Sequence, residues 1–175
     1  MSAIRRCELP DVALLSRYCG SGAYADCYVA EIARTVSHTE FVEAFYTSAV
    51  FKLERFVLRW LASYPSTDAQ AKQLAQGELG SFAAWAVEGR APNQLLLRAG
   101  RTRSWLMVSA AQGGETANTQ LFFGSAVVSA GNASGLGLVF GALLGFHKLY
   151  SRVLLGAARS RLLRKTSNAP RQSAA

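Results

Sequence analysis

With 175 residues, half of them hydrophobic and 17% charged, the chain is long enough for one domain with a sizeable core. The formal charge of +8 is uneven: Lys148, Arg152, Arg159, Arg161, Arg164, Lys165 and Arg171 sit in the last forty residues with no acid among them. The three cysteines, Cys7, Cys19 and Cys27, are odd in number and form no CxxC pair, which argues against a disulfide framework and for a reducing compartment.

The first 22 residues are mixed. Glu8, Pro10 and Asp11 interrupt the apolar core that a signal peptide needs, so the chain is expected to be cytoplasmic. After the loop signal Gly20-Ser21-Gly22, residues 27–32 read as a first strand, with Tyr24 and Tyr28 nearby. Ser37 and Glu40 stand at capping-box spacing and open a predicted helix over 38–62. Its apolar stripe is Phe41, Phe45, Ala49, Leu53, Phe56, Trp60 and Leu61, with Lys52, Glu54, Arg55 and Arg59 mostly off it. Pro65 stops it. Thr67 and Gln70 cap a shorter helix over 68–76, which Gly77 ends.

From Ser81 the period changes to two. Strands are predicted over 82–88, 93–99, 103–110 and 119–128 as a meander of antiparallel hairpins, with Gly124 suggesting a bulge. The polar connection 129–135 leads into a long helix over 136–165. There Val139, Leu143, Phe146, Tyr150, Val153, Leu154 and Ala157 share one face. Its strongly apolar start is about half the ~20 residues of a membrane span, so strand, loop and helix is the preferred reading. Gly137, Gly141 and Gly145 recur every four residues on the other face, spacing that permits close backbone approach in a homodimer or under a crossing segment.

No metal-ligand spacing, Walker loop, dinucleotide fingerprint or nucleophile elbow occurs. No catalytic residue, metal or cofactor is therefore assigned. His38 reads as an exposed residue of a first helical turn, and His147 lies at the edge of an apolar face. Glu88 and Glu115 are too isolated to name as a pair. Aromatic residues are the stronger signal, with Trp85, Trp105, Phe122 and Phe123 on strands and Phe140, Phe146 and Tyr150 on the last helix. They either fill a core or line an apolar cavity.

The late strands SWLMV and TQLFFGSAVV, followed by LGLVFGALLGFHKLYSRVLLGAARSRL as one helix, resemble the helix-grip fold of the START-like, Bet v 1-like and polyketide-cyclase-like (SRPBCC) proteins, including bacterial members of that group. The resemblance implies an α+β fold in which an antiparallel curved sheet grips a long C-terminal helix, here with an additional long N-terminal helix. The strand run reads shorter than is usual in that family. Residues 1–23 are then an N-terminal extension, 24–164 one helix-grip-like domain and 165–175 a disordered tail. The family implies a small apolar ligand between sheet and helix. The cavity is expected to be lined by Trp85, Trp105, Met107, Phe123, Phe146 and Tyr150, with His147 at its rim. One alternative is a cyclase or dehydratase using His147 or Glu88 turned inward. Another is a peripheral membrane or interaction protein whose basic C-terminal helix meets an anionic membrane surface. Nucleic acid ranks last, because the basic residues are not interleaved with aromatics.

Overall fold

The computed structural model describes residues 4–19, 23–62, 65–111, 118–128 and 137–167, with residues 54, 57–62, 137–148, 166 and 167 described by backbone alone. Among the described residues, seven antiparallel strands form one sheet in the order β1-β2-β7-β6-β5-β4-β3. They are β1 (Arg5–Arg6), β2 (Tyr24–Ile32), β3 (Ser81–Phe82), β4 (Trp85–Ala91), β5 (Gln94–Ala99), β6 (Thr102–Ala110) and β7 (Thr119–Val127). The chain leaves β2 through three helices, α1 (His38–Tyr46), α2 (Ala49–Ala62) and α3 (Asp68–Gln76), and re-enters at the far edge. The meander from β3 then walks back until β7 pairs with β2 along its whole length. The single strand expected over 82–88 is divided by a turn at residues 83 and 84 into β3 and β4, and β1 is too short for a period-two pattern to register, so the described residues hold seven strands where five were expected.

One long N-terminal helix does not form. The predicted helix over 38–62 breaks at Thr47 and Ser48, where hydroxyls compete for backbone groups. Thr47 Oγ1 donates to the Glu43 carbonyl at 2.6 Å, and Ser48 Oγ accepts from the Phe51 N–H at 3.3 Å. The break resets the phase of α2. Phe51 and Arg55 turn inward, while Leu53 and Phe56, expected in the core, are exposed. Arg55 is held by Asp68 at 2.7 Å, by Ser66 Oγ at 2.9 Å, and over the Phe82 ring. The two predicted capping boxes, Ser37 with Glu40 and Thr67 with Gln70, are both closed.

The last helix, α4 (Gly137–Ser167), crosses β2 and β7 and also meets α1 and α2. Its buried stripe is Ser151, Leu154, Leu155, Ala158 and Leu162. That is one position away from the predicted face, and Val153 is exposed. Both stripes obey helical spacing, and packing against the sheet selects between them. Arg159 Nε donates to the Glu31 carbonyl at 2.8 Å and Lys165 pairs with Glu43 at 2.9 Å, so part of the basic face is engaged within the fold. The surroundings of Gly137, Gly141 and Gly145 lie outside the described residues. Among the described residues no helix is long and apolar enough to cross a membrane.

Both faces of the sheet are covered. Tyr28, Ala30, Leu95, Leu97, Leu106, Leu121 and Phe123 face α1, α3 and α4. Cys27, Val29, Leu96, Trp105, Met107 and Phe122 face the other way, under residues 4–19, which carry a 3-10 turn at Leu14–Tyr18. Gly124 makes no bulge, since its pairing with Cys27 and Trp105 is continuous. It leaves room instead: a Cβ there would stand 2.9 Å from both Leu15 Cδ2 and Trp105 Cε3. The bulge lies in β4, where Glu88 is the extra residue between Val87 and Gly89.

Candidate functional site

Strand alternation sorts the candidate residues. On the helical face, cross-strand pairing builds one row from Leu95, Leu106, Phe123 and Tyr28, and the next from Leu97, Ser104, Ser125 and Asp26. An apolar row thus adjoins a hydroxyl-bearing one. A cavity of about 230 Å³ opens above them. Phe45 of α1, Phe51 of α2, Trp85 of β4 and Tyr150 and Leu154 of α4 give it an aromatic and aliphatic wall. Thr102, Ser104, Ser125 and Ser151 give it a polar one. Phe45 is fixed against Phe123 with ring centroids 5.0 Å apart, and against Phe51 at 6.0 Å.

One polar atom of the lining lacks a hydrogen-bond partner among the described residues. The indole Nε1 of Trp85 is buried without an acceptor. Asp26, beside Ser125, accepts from Ser125 Oγ at 2.5 Å through Oδ1. Burial, and then the neighbouring Asp26 carboxylate, push the phenols of Tyr24 and Tyr28 above their ordinary range. A buried donor left unpaired is costly unless something occupies it.

Of the seven residues expected to line the site, the structure brings Trp85, Phe123 and Tyr150 together. Trp105 and Met107 are not among them. They alternate with Ser104, Leu106 and Val108 on β6 and therefore point to the opposite face. There Trp105 Nε1 donates to Gln94 Oε1 at 2.8 Å. The side chains of Phe146 and His147 lie outside the described residues. Glu88 does not turn into the cavity. It is bound on the opposite face by Arg103 at 2.6 Å and by the Tyr18 hydroxyl, with Arg17 at 3.9 Å. His38 is not a freely exposed residue: its Nε2 is buried without a partner. Burial lowers its imidazole to about 4. Phe45, Phe51, Thr102, Ser104, Ser125, Ser151 and Leu154 were missed. The available signal was a lone serine inside an apolar strand, at Ser104 and again at Ser125. Among the described residues no group of three or more metal-ligating side chains gathers.

No protein-family model matches the chain, and no curated protein matches it. Among solved structures, CalU16 from Micromonospora echinospora is similar over 92% of each chain, at 13% identity and a TM-score of 0.32. A likeness at that score carries no argument, and the architecture stands on its own strand order and packing.

Proposed function

We propose that this protein binds a small, mostly apolar molecule in the cavity between the sheet and α4. The observation that carries this reading is an aromatic-walled cavity of about 230 Å³ whose lining residue Trp85 keeps a buried indole N–H without an acceptor. The volume lies below the ~300–1,000 Å³ of drug-sized sites, so a molecule of one or two rings suits it. A carbonyl or hydroxyl oxygen on that molecule would accept from Trp85, and its other end would meet the hydroxyls of Thr102, Ser104 and Ser125. The helix-grip resemblance of the sequence points the same way.

Native mass spectrometry of the purified protein is the first test, followed by titration with 1-naphthol monitored by tryptophan fluorescence. A stoichiometric adduct or saturable one-to-one binding supports the proposal. Trp85→Phe keeps most of the ring and removes the donor, so affinity should fall about 2- to 12-fold. A protein that carries nothing and takes up no apolar probe overturns it.

A second reading has its own observation. Leu149 is 61% exposed on α4, and with Ile4, Arg5, Arg6 and Arg152 it lines an open cleft. Apolar side chains ringed by arginines suit an anionic membrane surface. Sedimentation with vesicles containing phosphatidylserine, weakened by salt and by Leu149→Glu, would support it. Equal recovery with neutral vesicles would refute it.

A further inference from the structure

The face of the sheet turned away from the cavity gathers all three cysteines. The β1–β2 register sets Arg6 opposite Tyr28, so the next pair is Cys7 opposite Cys27. The Cys7 N–H donates to the Cys27 carbonyl at 3.0 Å. Both side chains project to the same side, and their sulfurs are 3.2 Å apart as free thiols. Directly opposed residues of antiparallel strands have Cα atoms ~4.5–5.5 Å apart, within the ~4.4–6.8 Å that a disulfide spans. A cleft of about 450 Å³ opens onto this pair, lined also by Arg6, Glu8 and the exposed Cys19.

We propose that Cys7 and Cys27 form a two-electron redox site that reacts with a hydroperoxide and closes to a reversible disulfide. The two thiols are unequal in the way such chemistry requires. Cys7 is half-buried and reachable from the cleft, whereas Cys27 is buried. Once Cys7 loses its proton, the Cys27 S–H donates to the thiolate, and Arg5 adds a favourable charge; together these lower the Cys7 thiol. The same contact, with burial, raises Cys27. Cys7 is therefore the attacking thiolate and Cys27 the resolving thiol. The Cys7 sulfur attacks one peroxide oxygen and the O–O bond breaks. The other oxygen leaves as an alcohol, or as water from hydrogen peroxide, taking the Cys7 proton. The Cys27 sulfur then attacks the sulfenic sulfur. An S–S bond forms, the S–O bond breaks, and water leaves with the Cys27 proton. Two thiols are oxidised and one peroxide is reduced. Closure would fasten residues 4–19, which cover this face, covalently to β2, the strand between β1 and β7.

The test uses the intact chain and limiting hydrogen peroxide, followed by alkylation and mass spectrometry. The expected product has lost about 2 Da, alkylates at Cys19 alone, yields a Cys7–Cys27 cross-linked peptide, and reverts with dithiothreitol. Cys7 should be consumed at least about tenfold faster than Cys19. In Cys27→Ser, and equally in Cys27→Ala, the sulfenic acid of Cys7 should persist long enough for dimedone to trap it. The wild-type readout alone decides the matter if neither variant folds. Oxidation of Cys19 first, a disulfide that includes Cys19, or Cys7 and Cys27 both remaining alkylatable would each overturn the proposal.

Discussion

Gln94→Met separates the two faces of the sheet experimentally. Gln94 is almost fully buried, and its one side-chain oxygen accepts from Trp105 Nε1 at 2.8 Å and from the Leu14 N–H at 2.9 Å. Its Nε2 donates to the Val12 carbonyl at 3.0 Å. One amide thus clamps the N-terminal segment to the sheet through two bonds, while a third ties it to Trp105 within the sheet. Methionine keeps the length and volume and removes all three partners. Trp105 is fully buried, so its orphaned N–H costs about 1–3 kcal/mol. The two backbone bonds add at most about 0.5–1.5 kcal/mol each, because Val12 is 74% exposed and water can replace them there. The expected loss is about 2–6 kcal/mol, or roughly 4–24 °C in melting temperature for a chain of this size. Urea denaturation measures the loss. Hydrogen exchange locates it: amides of residues 12–18 should lose protection while α1 keeps its own. Binding at the cavity should persist in the folded fraction, since no lining residue touches Gln94. A loss below about 0.5 kcal/mol, or deprotection spread evenly over α1 and α3, would refute this account of how the N-terminal segment is held.

Gly124→Ala places a Cβ within 2.9 Å of Leu15 and Trp105 and 3.2 Å of the Asp26 carbonyl. Overpacking there should cost about 1–3 kcal/mol, and a variant as stable as the wild type in urea would contradict the packing. The imidazole of His38 titrates near 4 in the fold against 6.5 unfolded. Between those values the unfolded chain binds more protons, so stability rises with pH across the window and is lost as pH falls through it. The ring is only partly buried, so the contribution is about 1–3 kcal/mol. His38→Ala should flatten the wild-type slope over that range, and parallel profiles for the two proteins would remove His38 as the cause. Below it, the carboxyls of Glu40 and Asp68, lowered by their own partners, lose their contribution as they protonate in the fold.

Local signals survived the fold where their chemistry was complete within a few residues. Ser37 with Glu40 and Thr67 with Gln70 each satisfy the other's backbone groups, so nothing distant could overrule them. The Gly77 cap, at positive φ, was legible for the same reason. Patterns that named a face without naming what it meets fared worse. Leu53 and Phe56 continue the period of Phe41 and Phe45 only if the helix is unbroken. Thr47 and Ser48, each a weak helix former, end that continuity with two side-chain hydrogen bonds. Likewise two stripes of α4 satisfied helical spacing, and the contact with β2 and β7 chose the one through Leu154, Leu155 and Ala158.

The site was half legible because the sheet has two buried faces. A strand with one wet face announces its inner residues by alternation. On β6, Ser104, Trp105, Leu106, Met107 and Val108 are all buried, since residues 4–19 cover what would otherwise be a solvent face. Hydrophobicity then cannot say which residues meet α4, and the assignment of Trp105 and Met107 to the cavity inherited that ambiguity. Parity resolves it once a single residue is placed. Phe123 pairs with Leu106 and Tyr28 on the helical side, so Ser125 must join it and Phe122 and Gly124 must not. The same parity puts Cys27 on the far side, one residue from Asp26, which faces the helices. A period-two strand covered on both sides thus carries two unrelated chemistries on adjacent residues: an aromatic cavity above and a thiol pair below. A single-strand pattern cannot separate them, but the register of its neighbours does.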